Sequence, residues 1–279
     1  MSLQNRTARP GRLGTLVVLI AVLGLIIPTT ALGILAIERV SASSTGAQGN
    51  GDSWVCKPSA DGRFVVFYSE SSQLVPGDTN HVGDVFVRDR LTGRVERANV
   101  SSAGGQSDAQ SYDADISADG RYVVFASRAT NLIGAGLDTD ASSDVFVRDR
   151  FAHTTRRVSV GAAGVQGSGD SDGARISTDG RYVVFVSAAA NLVGTEDTNA
   201  RSDIFRRDRI GNTTVRVSLG GSGLQADGYS DDPAVNASGR YVAFESAATN
   251  LVGAGVDTNS QDDIYVRDID FGTTSRASV

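Results

Sequence analysis

The chain has 279 residues, 40% of them apolar and 21% charged, enough for one large globular domain or two ordinary ones. Three of its 26 basic residues and none of its 32 acidic ones lie in residues 1–37, so the remainder is acidic, with 23 basic against 32 acidic residues and Lys57 as its only lysine. An acidic domain without a basic stripe argues against nucleic acid and anionic membrane surfaces as partners, because both need clustered cations to displace counterions.

Leu13 to Ile37 is strongly apolar and follows Arg6, Arg9 and Arg12. A charged region before an apolar run is the pattern of an export segment. Cleavage near Ala31-Leu32-Gly33 would make it a signal peptide, and use of the whole run would make it a transmembrane anchor; Pro28, Thr29 and Thr30 interrupt it. Either way the arginines stay in the cytoplasm and residues after Ile37 are expected outside, exported or held at the cell envelope. Membrane contact is expected through this segment alone.

From Glu38 onward the sequence repeats, roughly as 38–98, 99–158, 159–217 and 218–279. Each unit opens on a polar loop and a short strand, then a turn, Asp61-Gly62, Asp119-Gly120, Asp179-Gly180 or Ser238-Gly239. Gly accepts the positive φ that a tight hairpin needs. The runs that follow, FVVF, YVVF, YVVF and YVAF, are apolar on both faces, as expected of a strand packed between two neighbouring layers. Their aromatic residues, Phe64, Tyr122, Tyr182 and Tyr241 with Phe67, Phe125, Phe185 and Phe244, are expected in the core between blades. A loop then leads to a third strand, DVFVRD at Asp84 and Asp144, DIFRRD at Asp203 and DIYVRD at Asp263, and a short polar turn leads to a fourth strand ending at Val100, Val160, Leu219 and Val279. The expected fold is all-β: a β-propeller of four blades of about 60 residues, each a four-stranded antiparallel meander, following an N-terminal apolar helix.

DGRYVVF followed by DVFVRD resembles the WD-like propeller repeat of TolB-type proteins, over residues 38 to 279. The resemblance implies a propeller and little about chemistry, since such folds serve as scaffolds, receptors and enzymes. The long loop carrying a DTN motif departs from that repeat, and so does the count, since TolB propellers have six blades. A fifth match to the fourth-strand pattern, Glu38 to Ser43, either closes a four-bladed ring on the last blade or marks a larger ring completed by a second copy, making a homo-oligomer a candidate state. Cys56, the only cysteine, stands where other units have Ala114, Ala174 and Pro233, and is expected to be buried.

Two polar loops share one rim of such a meander. One carries Gln48, Gln106, Gln166 and Gln225, candidate ligand-binding residues together with Trp54, Tyr112, Asp172 and Asp231 at the start of the innermost strand. The other carries Asp78, Asn80, Asp84; Asp138, Asp140, Asp144; Asp197, Asn199, Asp203; and Asp257, Asn259, Asp263. Alternating oxygen donors in a turn suit Ca²⁺, while the same residues can instead cap their own backbone two residues on. Gly169-Asp170-Ser171-Asp172-Gly173 spells G-x-S-x-G, but Ser171 is the repeat equivalent of Ser53, Ser111 and Ser230, and His81 and His153 fall in loops on opposite faces. No catalytic constellation is expected. The expected function is binding, with a protein or peptide favoured over a sugar; a carbohydrate-active lyase or glycosidase, or an incomplete propeller acting only as an oligomer, are the alternatives.

Overall fold

The computed structural model describes residues 37–194, 197–253, 256–259 and 261–278. The apolar run expected to direct export lies outside these residues save for Ile37, and among them no helix is long and apolar enough to cross a membrane. Residues 39–279 form one compact unit.

Among the described residues, sixteen strands make four separate antiparallel sheets, each in chain order. Blade 1 is β1 (Ser53–Pro58), β2 (Phe64–Ser69), β3 (Asp84–Asp89) and β4 (Val95–Arg97); blade 2 is β5 (Ser111–Ile116), β6 (Tyr122–Ser127), β7 (Asp144–Asp149) and β8 (Thr154–Arg157). Blade 3 is β9 (Ser171–Ile176), β10 (Tyr182–Ser187), β11 (Asp203–Asp208) and β12 (Thr213–Arg216); blade 4 is β13 (Ser230–Val235), β14 (Tyr241–Ser246), β15 (Asp263–Asp268) and β16 (Thr273–Arg276). The four-bladed propeller repeat expected from the sequence is thus present. The fourth strands are shorter than expected because the next residues leave the ladder: Asn99, Ser159 and Ser218 turn their side chains inward to cap the N–H of Val85, Val145 and Ile204.

Each DVFVRD strand carries an aspartate at both ends, and each is clipped by arginine. The last, Asp89, Asp149, Asp208 or Asp268, takes two hydrogen bonds of 2.7–3.0 Å from the arginine of the DGR or SGR turn, Arg63, Arg121, Arg181 or Arg240. The first, Asp84, Asp144, Asp203 or Asp263, pairs at 2.8–3.2 Å with the fourth-strand arginine, Arg97, Arg157, Arg216 or Arg276. Bidentate pairing fixes geometry as well as charge, so the two clips hold strand three against strands two and four.

Blades pack in sequence, 1 on 2, 2 on 3 and 3 on 4, through three apolar clusters. Phe67, Phe125, Phe185 and Phe244 are buried and stack on Phe86, Phe146, Phe205 and Tyr265 of their own blades at 5.8–6.0 Å. Across each junction an aromatic ring fits over a turn glycine of the next blade: Phe64 over Gly120, Tyr122 over Gly180, Tyr182 over Gly239. Arginines cover those rings; Arg150 lies 4.5 Å from the Phe64 centroid and Arg209 4.2 Å from that of Tyr122. Blade 4 has Ile269 at the corresponding position, and Arg206 of blade 3 reaches instead from below Tyr182 to the Gly239 carbonyl.

No such cluster joins blade 4 to blade 1 among the described residues. Ile264 is 42% exposed where its equivalents Val85, Val145 and Ile204 are 0% exposed, and Tyr241 is 42% exposed. Two expectations are corrected by this openness. Cys56 is exposed, because among the described residues no blade packs on the face that in blades 2 and 3 buries Ala114 and Ala174, and Tyr241 is not an inter-blade core residue. The surplus fourth-strand match is also placed: Ala42 bridges Gln48 just as Val100 bridges Gln106, and its carbonyl accepts from Arg88 of blade 1. That segment therefore belongs to blade 1 and does not close the ring on blade 4.

Candidate functional site

The innermost strands β1, β5, β9 and β13 each carry a bulge near their start, where pairing with the second strand slips. The bulged position in blades 2, 3 and 4 is Asp113, Gly173 and Asp232, all at positive φ (48°, 58° and 45°). A bulge re-aims the side chains beside it. Here it gathers Asp113, Asp172 and Asp231; a Cβ on Gly173 would lie 3.9 Å from Asp231 Oδ1. Burial, then the charges of Asp113, Asp231 and Asp170, push the Asp172 carboxyl up to about 6, with only Arg128 opposing. Arg128 is half-exposed and pairs with Asp170 at 3.5 Å.

Tyr112 lines the same mouth, its hydroxyl donating to Ser143 Oγ at 2.7 Å, and burial with the charge of Asp172 raises its pKa. Glu245 extends the negative surface in blade 4; its carboxyl is pushed up by desolvation and by Asp262, Asp232 and Asp231. Trp54 is 47% exposed and leans on Tyr68 at 4.4 Å. Of the sequence candidates, Tyr112, Asp172 and Asp231 come together, and Trp54 stands on the equivalent strand of blade 1. Asp113 was missed. Asp, Gly and Asp at one repeat position are residue types that accept left-handed backbone, and that pattern could have marked the bulge.

The glutamines have a different role. Gln106, Gln166 and Gln225 each reach back one blade, donating Nε2 to Asp78, Asp138 and Asp197 at 2.7–3.0 Å. Their Oε1 atoms accept from the N–H and hydroxyl of Thr79, Thr139 and Thr198. They clasp neighbouring blades, and Gln48 is held by Arg39 at 2.7 Å.

In the DTN loops, Asn80, Asp140, Asn199 and Asn259 accept from the N–H two residues on. Where the calcium reading would place the cation between Asp138 and Asp144, the Arg157 guanidinium lies 3.6 Å and 3.0 Å away. Arg97 does the same for Asp78 and Asp84. Among the described residues no three or more His, Cys, Asp or Glu are grouped to hold a metal ion. Burial raises Asp84 and Asp203 and pushes Asp144 up to about 6. Ser171 of the G-x-S-x-G stretch is buried and bonded to Ser187 Oγ at 2.8 Å, the pairing Ser111 makes with Ser127 and Ser230 with Ser246. His81 and His153 lie in loops at opposite ends of the meander, before β3 and after β7.

No family model and no curated protein matches the sequence. Solved structures do match. The chain is similar in fold to TolB. TolB from Acinetobacter baumannii is 15% identical, with a TM-score of 0.47 over 84% of this chain and 45% of that one. A putative TolB from Agrobacterium tumefaciens is 16% identical, with a TM-score of 0.48 over 80% of this chain and 65% of that one. An oligogalacturonate lyase in complex with manganese is 11% identical, with a TM-score of 0.41 over 74% and 45%. The chain thus spans 45% to 65% of the length of the two TolB chains.

Proposed function

We propose that this chain is an exported binding propeller whose inner-strand mouth takes a cationic peptide segment of a protein partner. The observation that carries the reading is the Asp172 carboxyl, half-buried among Asp113, Asp170 and Asp231 and pushed up to about 6. Like charges held together and partly desolvated are relieved by an arriving cation, while Tyr112 and Trp54 offer rings on which a guanidinium or an aliphatic stem can lie. Export is supported by Arg6, Arg9 and Arg12 ahead of the apolar run.

The pH dependence follows from the direction of the shift. A folded-state carboxyl pKa above the unfolded value means the folded chain binds the proton more tightly, so stability falls as pH rises from about 4 to about 6. Above that window Asp172 is charged and the mouth attracts cations; below it the charge is lost. A Lys/Arg-rich fluorescent peptide is expected to bind the full-length chain at about pH 7.5, and to bind about ten-fold more weakly at about pH 5. Asp172→Asn is expected to weaken binding by a similar factor at the higher pH and to flatten the profile. Anisotropy titrations check this, and equal binding of an acidic peptide, or binding indifferent to Asp172→Asn, would remove the proposal.

A further inference from the structure

The three junctions between blades define what a fourth would need. Each uses a ring from the leading blade over a turn glycine of the next, a glutamine of the next blade on the Asp of the leading DTN loop, and an apolar patch joining the two. The two ends of the array each hold half of that set.

On blade 4, Tyr241 is 42% exposed, and Ile264, opposite Glu245 on the same face at the other end of the β14–β15 pair, is bared as well. Asp257 is only 9% exposed, and its Oδ1 is buried without a hydrogen-bond partner. In the other three blades that atom accepts from glutamine Nε2. On blade 1, a Cβ on Gly62 would meet nothing closer than Arg90 Nη1 at 3.6 Å, whereas one on Gly120, Gly180 or Gly239 would collide with an aromatic ring. Arg90 donates to the Gly62 carbonyl at 2.9 Å, as Arg150 does to that of Gly120, so the turn is already shaped to receive a ring. Exposed Cys56 stands where Ala114 and Ala174 pack against Val66 and Val124, whose counterpart in blade 4 is Ala243.

We infer that a second copy of this chain docks head to tail, its blade 1 on the blade 4 of the first, with Tyr241 over Gly62 and Gln48 donating to Asp257. The contact is heterologous, and two copies joined by two such contacts make a closed array of eight blades. One rearrangement is required. Residues 38–41 of the incoming copy are the repeat counterpart of residues 275–278, which already occupy that place on blade 4, so they must swing aside. They belong to no strand, and Arg39 is what holds Gln48 Oε1; their departure frees that oxygen and lets the amide turn to the DTN loop of the partner copy. The inference is independent of the peptide reading, since none of these residues lies in the acidic mouth.

The test uses the full-length chain in a mild detergent, with Ala243→Cys added so that Cys56 and the new thiol can be joined by a short bifunctional maleimide. The expected product on a denaturing gel has the mass of two chains. Tyr241→Ala, at an exposed ring that the monomer fold does not need, and Gln48→Ala should each weaken association by about ten-fold or more, as loss of an anchoring residue does. Light scattering on the unlinked chain should show a two-chain mass that falls on dilution. Linkage within a single chain, which would mean that blades 1 and 4 meet directly, overturns the inference. So does a one-chain mass at every concentration, or a cross-linking yield that Tyr241→Ala and Gln48→Ala leave unchanged.

Discussion

Replacing Arg157 with alanine is expected to destabilise the chain by about 3–5 kcal/mol, the range found when one member of a buried ion pair is removed and its partner left behind. Arg157 and Asp144 have side chains only 3% and 1% exposed, and Asp138, at 3.6 Å, would be left beside Asp144 with no cation between them. The loss should be smaller at about pH 5 than at about pH 7.5, because the Asp144 carboxyl, already pushed up to about 6 by burial, protonates and sheds its charge. Arg276→Ala provides the contrast. Its pair with Asp263 is 21% and 9% exposed, so water takes over part of the solvation, and a clearly smaller loss is expected. Chemical denaturation of the two variants at both pH values checks the ranking; equal losses would mean that the arginine clips are not the buried elements described.

Gly120→Ala should cost about 3 kcal/mol and Gly62→Ala about 1 kcal/mol, although both glycines occupy the same turn position. Both have positive φ, 72° and 69°, so each variant pays the penalty of a left-handed L-residue. Only at Gly120 would the new methyl also run into the Phe64 ring of the preceding blade, whereas at Gly62 its nearest neighbour is Arg90 Nη1 at 3.6 Å. The difference between the two variants isolates blade-to-blade packing from backbone strain. Thermal melts of the two, run at concentrations low enough to hold the chain as a monomer, check it.

Sequence periodicity was enough for the strands and turns because each blade is built from local signals: Asp-Gly turns, doubly apolar second strands, and a third strand bounded by aspartates. What it missed lies one blade away. Gln106 looked like a rim ligand because its partner, Asp78, is 28 residues back in the neighbouring blade, and only the packing of blades brings them together. The arginine clips were equally hidden, so Asp138 and Asp144 looked like calcium ligands when Arg157 lies between them. Cys56 and Tyr241 were misjudged for a further reason: a repeat alignment assigns every unit the environment of an inner one, and the terminal faces differ only in what does not cover them. Of the candidates at the start of the innermost strand, Tyr112, Asp172 and Asp231 lie near one another, while the approach of Asp113 to them depends on a bulge.

The arrangement as a whole rests on the array being open between blades 4 and 1 within one chain. The most direct test is the rate at which the Cys56 thiol of the Tyr241→Ala chain reacts with a disulfide reagent under native conditions, the substitution keeping a second copy from covering it. An open array predicts reaction within about ten-fold of the rate for an unhindered thiol, as expected of an exposed cysteine. A thiol that reacts only once the chain is unfolded would mean that blade 4 packs on blade 1, and would contradict the account.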